Sequence, residues 1–162
     1  MLISFALAYL SGGLLGYVIH WVLHQRWSGK LYRLHLTHHE VKYPSRDFLS
    51  VGEYRDAGSG NITPYFVALA TIVLLPAFFA LRQIGVPAWT IAVVAVEITL
   101  MAVVNDRIHD ALHIKGHFLE RLGFFRRCRI AHRVHHTNVK SNLSMTTFEW
   151  DRVFGTFSLP DE

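Results

Sequence analysis

Three runs of this chain carry almost no charge, and each is long enough to cross a bilayer as a helix. Residues Met1 to Ile19 have no charged side chain, Ile62 to Leu81 add a second uncharged run, and Ile84 to Val104 a third, interrupted only by Glu97. A helix needs about 20 predominantly apolar residues to span the hydrocarbon core. A cleaved signal peptide would want a basic start and a small-residue cleavage site, and neither stands before Val18-Ile19-His20-Trp21. Pro76 falls inside the second run, where a bilayer helix tolerates a kink. Arg82, Gln83, Gly85 and Pro87 leave so short a turn that the second and third spans form a hairpin with their far ends on one side.

The basic residues orient these spans. Of 16 lysines and arginines, six lie between Gln25 and Asn61, nine from Asn105 to Glu162, and one, Arg82, in the hairpin turn. Positive loops stay in the cytoplasm, so the amino terminus is expected outside and the polar segments 20–61 and 105–157 inside. The net charge of +4 then reports orientation, and a nucleic-acid role is not expected. With 51% hydrophobic and 17% charged residues the chain is not a disordered one. Its one cysteine, Cys128, excludes a disulfide scaffold. The expectation is an all-α integral membrane protein: one domain over 1–162, spans near 2–19, 62–81 and 84–104, and a cytoplasmic helical cap.

The histidines carry the chemistry. Eleven occur, and ten fall in four groups: His20 and His24 in HWVLH, His35, His38 and His39 in HLTHH, His109 and His113 in HDALH, His132, His135 and His136 in HRVHH. Spacings of three and four put imidazoles one turn apart on one helix face, where a pair can grip one metal ion. Every group lies just past a membrane exit or in a polar segment of the same side, so all four can meet. Ten imidazoles exceed what one ion takes, and two ions with four or five nitrogens each would use them. Imidazole suits iron, zinc and copper alike, so purified protein could carry zinc. His117 extends the 109 and 113 series by a further turn and is expected to support a ligand or stand aside.

In this order around a transmembrane hairpin, the four boxes resemble the fatty acid hydroxylase superfamily, which includes sterol desaturases, methylsterol oxidases and carotenoid hydroxylases. The segment from Trp150 to Thr156, WDRVFGT, is similar to the closing segment of its fatty acid hydroxylase and sterol desaturase members. The resemblance, over about His20 to Phe157, implies a non-haem di-iron oxygenase that uses dioxygen and two electrons to hydroxylate or desaturate a lipid. It implies metal ligands at His20, His24, His35, His38, His39, His109, His113, His132, His135 and His136. In carotenoid hydroxylases the first and third boxes usually have four residues between the histidines, and both have three here. A fatty-acyl or sterol-like lipid is therefore expected, with a carotenoid as the alternative. A single cysteine cannot hold a four-cysteine cluster, so electrons are expected from a separate ferredoxin- or cytochrome-type protein.

Partners for the outer ring nitrogens are sought nearby, at Asn105, Asp106, Asp110, Glu40 and Asn138. Glu97, alone inside a span, is either a functional group facing the bundle interior or a neutral acid bonded to a neighbouring helix. Arg126, Arg127 and Arg129 could meet anionic headgroups or an acidic electron donor. Trp21, Trp27 and Tyr32 read as an interface belt. Ser45 to Asn61 reads as a loop that either covers the site or merely connects. A zinc-dependent membrane hydrolase or a non-catalytic metal-binding protein is the competing class, but no box contains the glutamate of an HExxH site.

Overall fold

The computed structural model describes residues 2–56 and 63–160, with side chains over 5–56 and 71–160. The described chain is mostly helical. Helix α1 runs Leu2–Leu23, α2 Lys30–Thr37, α3 Thr63–Gln83, α4 Ala88–Leu112, α5 Gly123–Thr137 and α6 Glu149–Val153. A π turn over His38–Lys42 continues α2, and two-residue strands β1 (Ser50–Val51) and β2 (Ile114–Lys115) pair in parallel.

Among the residues whose side chains are described, two helices, over Phe5–Leu23 and Ala88–Leu112, are long and apolar enough to cross a membrane; the described part of α3, Thr71–Gln83, is apolar as well. Large apolar side chains stay exposed along them, among them Phe5, Leu7 and Leu10 on α1, Ile72 and Phe79 on α3, and Val96, Leu100 and Val103 on α4. Apolar surface on that scale suits lipid better than water.

The helices outrun the charge-free runs that announce them. Helix α1 continues past Ile19 to Leu23 and so carries His20 in its last turn. Helix α4 starts at Ala88 rather than Ile84, because Pro87 at φ −60° and ψ 138° supplies the extended residue ahead of the helix. The turn before it uses Gly85 at φ 85°, a conformation open to glycine without strain. At its other end α4 runs on to Leu112, which lifts His109 and His113 onto the same column as the span. Absence of charge marks where a helix is apolar, and backbone hydrogen bonding decides where it stops. Ile62, the expected start of the second span, lies outside the described residues.

Helices α1 and α4 pack through Ala8, Leu15, Ile19, Leu23 and Ile98. Gly12 lies at that contact, where a Cβ would meet Ile98 at an ordinary van der Waals distance of 3.6 Å. A second core joins the end of α4 to α5 and the C-terminal segment through Ala111, Leu112, Phe125, Cys128, Ala131 and Phe148. Between the two cores lie the histidines.

The Ser45 to Asn61 segment, so far as described, is a tied cover rather than an open loop. Arg55 holds it by donating to Asp47 Oδ2 at 2.8 Å, Lys42 O at 2.7 Å and Leu49 O at 3.0 Å. Its β1 pairs with β2, bringing Ser50 opposite Ile114, next to His113. Residues 57–61 of that segment lie outside the described residues.

Candidate metal centre

Four helical segments each deliver one histidine box. The last turn of α1 presents His20, with His24 following it; α2 and its π turn present His35, His38 and His39; α4 and its cap present His109 and His113; α5 presents His132, His135 and His136. All except His24, His109 and the outlying His117 are buried below a tenth of their surface.

The donor nitrogens collect into two groups. In the first, His20, His24, His35, His39 and His135 each offer one nitrogen, all within 4.8 Å of one another; in the second, His38, His109, His113 and His132 do the same. His136 joins the second side, its Nε2 lying 3.2 Å from His132 Nε2. The HxxxH pairs stay together, as their spacing predicts, but both HxxHH boxes divide. His39 faces the first group and His38 the second, while on α5 His135 faces the first and His132 with His136 the second. For the earlier box the division falls in the π turn, closed by Tyr43 N donating to His38 O at 2.8 Å; such widened turns gather at functional sites.

Backbone carbonyls set the tautomers. Nδ1 of His20 lies 2.6 Å from Leu143 O, that of His135 2.7 Å from Ser141 O, that of His113 3.0 Å from Phe48 O, and that of His136 2.7 Å from Tyr43 O. A carbonyl can only accept, so each Nδ1 carries the hydrogen and each Nε2 turns a lone pair inward. Asp56 Oδ2 does the same for His38 at 2.8 Å.

Inward lone pairs then crowd. His35 Nε2 sits 3.1 Å from Nε2 of His20, 3.0 Å from that of His24 and 3.1 Å from that of His39. One ring nitrogen has at most one hydrogen to give, so three such contacts cannot all be hydrogen bonds from His35. In the second group Nε2 of His38 and of His109 are buried with no hydrogen-bond partner among the described residues. A cation resolves both features. Nitrogens about 2.1 Å from a common ion and at right angles to each other stand about 3 Å apart. The donor set therefore fits one ion in each group.

The surroundings keep these rings neutral. Burial, reinforced by the neighbouring imidazoles, holds His35, His113, His132 and His135 well below the usual imidazole pKa, His24 down to about 4 and His136 down to about 3. Neutral imidazole is the form that binds a metal.

The partners expected from local sequence lie elsewhere. Asp110 comes only to 3.9 Å from His109 Nδ1 and from Arg107, beyond hydrogen-bond range. Asn105 is hydrogen bonded to Thr146, Asp106 and Glu40 are exposed, and Asn138 Oδ1 accepts from Lys140 N at 3.2 Å. His117 stands outside both groups, accepting from Leu119 N at 3.3 Å to cap a short turn. Arg129 is tied into the fold by Glu120, Ala111 O and Ile114 O rather than left as a free surface cation.

Asp56, which nothing in the sequence singles out, instead takes an outer-partner position. Asp56→Ala leaves the His38 Nδ1 hydrogen without its carboxylate. Metal affinity of the second group is expected to fall about 10- to 100-fold, with the first group unchanged. Chelator competition checks this, and equal loss from both groups would contradict it.

One more residue lies a step further out. The buried Asp151 carboxylate accepts from Leu143 N at 2.7 Å, Ser144 N at 2.9 Å and Thr156 Oγ1 at 2.7 Å. It thereby clamps the turn whose Leu143 carbonyl orients His20.

Between α1 and α4 runs an apolar groove of about 440 Å³. Phe5, Leu100, Val104, Ile108 and Phe124 line it, with Glu97 and Asn105 among its few polar groups. Ile108, at the end of this lining, is the residue before His109 in the sequence.

Residues 5–156 match the family described as fatty acid hydroxylase. No curated protein and no solved structure matches the chain.

Proposed function

The chain belongs to the fatty acid hydroxylase family, and on that premise we propose that it is a membrane-bound di-iron oxygenase that hydroxylates or desaturates a lipid with dioxygen and two electrons. The observation that carries this reading is the pair of converging histidine groups, each with inward lone pairs that a cation would satisfy. His20, His24, His35, His39 and His135 would hold one iron, and His38, His109, His113, His132 and His136 the other. Irons bound there would supply the reductive activation of dioxygen that an unactivated C–H bond requires.

The protein's own residues do the rest. Leu143, Ser141, Phe48 and Tyr43 carbonyls and the Asp56 carboxylate hold five rings in the ligating tautomer. Burial keeps the rings neutral and excludes bulk water from the cluster. The groove between α1 and α4 takes the alkyl part of the substrate, with Leu100, Val104 and Ile108 guiding it toward His109. Its apolar lining supports a fatty-acyl or sterol-like lipid, a carotenoid being the alternative, that enters sideways from the bilayer. The topology we propose has three spans, the amino terminus outside and the histidines at the cytoplasmic face. The electrons come from a separate ferredoxin- or cytochrome-type carrier.

Turnover under isotopic oxygen tests the reaction. Protein in lipid vesicles, given a chemical reductant and ¹⁸O₂, is expected either to place one labelled oxygen in a lipid product or to form a new double bond. A lipid product labelled only from H₂¹⁸O would instead indicate hydrolysis and contradict the proposal.

A further inference from the structure

The C-terminal segment does not stop at the membrane exit marked by His20; it runs back along α1. Trp150 Nε1 donates to Leu10 O at 2.9 Å and Tyr9 donates to Glu149 Oε1 at 3.1 Å. Tyr17 stacks on Phe154 with ring centroids 4.9 Å apart. Gly13 permits the approach, since a Cβ there would come within 3.3 Å of both the Trp150 indole and the Thr147 hydroxyl. Leu10 precedes His20 by ten residues, about 15 Å along a helix, and half the hydrocarbon core is about 15 Å deep.

Each charged group of the segment has a partner, while Glu149 and Arg152 themselves stay exposed. Asp151 is buried and accepts from three donors, and the Glu149 carboxylate accepts from Tyr9. The Arg152 guanidinium lies over the Phe157 ring, 4.7 Å from its centroid. Facing outward are Val153, 67% exposed, and Phe154, 52% exposed. They continue the exposed apolar surface of α1 formed by Leu7, Leu10 and Val18.

We propose that α6 and its flanking turns form a re-entrant segment that lies within the cytoplasmic leaflet against α1 and presents Val153 and Phe154 to lipid acyl chains. This rests on α1 crossing the bilayer. It deepens the functional reading, because Thr146 and Thr147 of the same segment line the groove beside α4. The groove is then walled on one side by protein sunk in the leaflet, and its mouth opens among acyl chains rather than water.

Fluorescence quenching tests the placement. The full chain carrying Trp21→Phe, Trp27→Phe and Trp89→Phe keeps Trp150 as its one indole. In phosphatidylcholine vesicles, lipids brominated in mid-chain are expected to remove more of its emission than lipids brominated near the headgroup, and aqueous iodide to remove little. A second protein, with Trp150→Phe and Leu7→Trp added, reports α1 in the same vesicles. Iodide quenching of Trp150 without bromolipid quenching, while the α1 reporter is still quenched by bromolipid, would overturn the re-entrant segment and leave the span intact. Loss of bromolipid quenching at both positions would overturn the span and the segment together. Protection of Trp150 from lipid and iodide alike, in a chain that cross-links to itself, would assign the surface to a second copy and overturn the proposal.

Discussion

His135→Ala is expected to remove the metal of one group and leave that of the other, halving the metal bound per chain. His135 offers its nitrogen to the group of His20, His24, His35 and His39, whereas His132 and His136 on the same helix face the opposite side. His113→Ala is expected to give the complementary loss, because His113 stands with His38, His109 and His132. In both variants the inner nitrogens around the vacated position would still point at one another. Turnover should therefore fall by more than the about 100-fold that loss of an outer partner can cause. The doubly substituted protein should hold neither metal. Metal analysis against protein concentration reads all three. Loss of all metal from either single variant would mean that one shared site, rather than two, organises the histidines.

The second large effect lies outside the cluster. Asp151→Ala leaves two buried amide N–H groups, of Leu143 and Ser144, and the Thr156 hydroxyl without their shared acceptor. A hydrogen bond to a charged group is worth about 1.5–3 kcal/mol and an unsatisfied buried donor costs about 1–3 kcal/mol, so a loss of about 3–5 kcal/mol in stability is expected. The loss should also reach the metal. Leu143 O orients His20, so the first group should bind its ion more weakly than the second. Asp151→Asn keeps one acceptor oxygen and should recover part of the stability. Thermal unfolding in detergent, read together with metal content, checks both statements. A change under about 1 kcal/mol with metal retained would show that the clamp does not hold the turn.

Much of this protein can be read from its sequence because its chemistry sits in side chains. Histidines at spacings of three and four announce the four boxes, and the charge-free runs announce helices, since burial in lipid tolerates little else. The orientation of the rings is a different matter. Their outer partners are the carbonyls of Tyr43, Phe48, Ser141 and Leu143, and every residue type has the same carbonyl. Position in the fold, not residue identity, makes them acceptors. The π turn at His38–Lys42 has no local sequence signal either, yet it divides the second box between the two groups. Asp56 lies 18 residues from His38, and only the tied cover around Arg55 brings it back. Asp151 stands in the WDRVFGT segment, which family resemblance could flag, but its role as a clamp on the Leu143 turn appears only once the chain is folded.

The most direct test is the metal itself. Protein purified from iron-replete cells is predicted to hold about two irons per chain, one for each histidine group. A single tightly bound zinc per chain, with no iron under any growth condition, would contradict a di-iron oxygenase and point to a hydrolytic metal site.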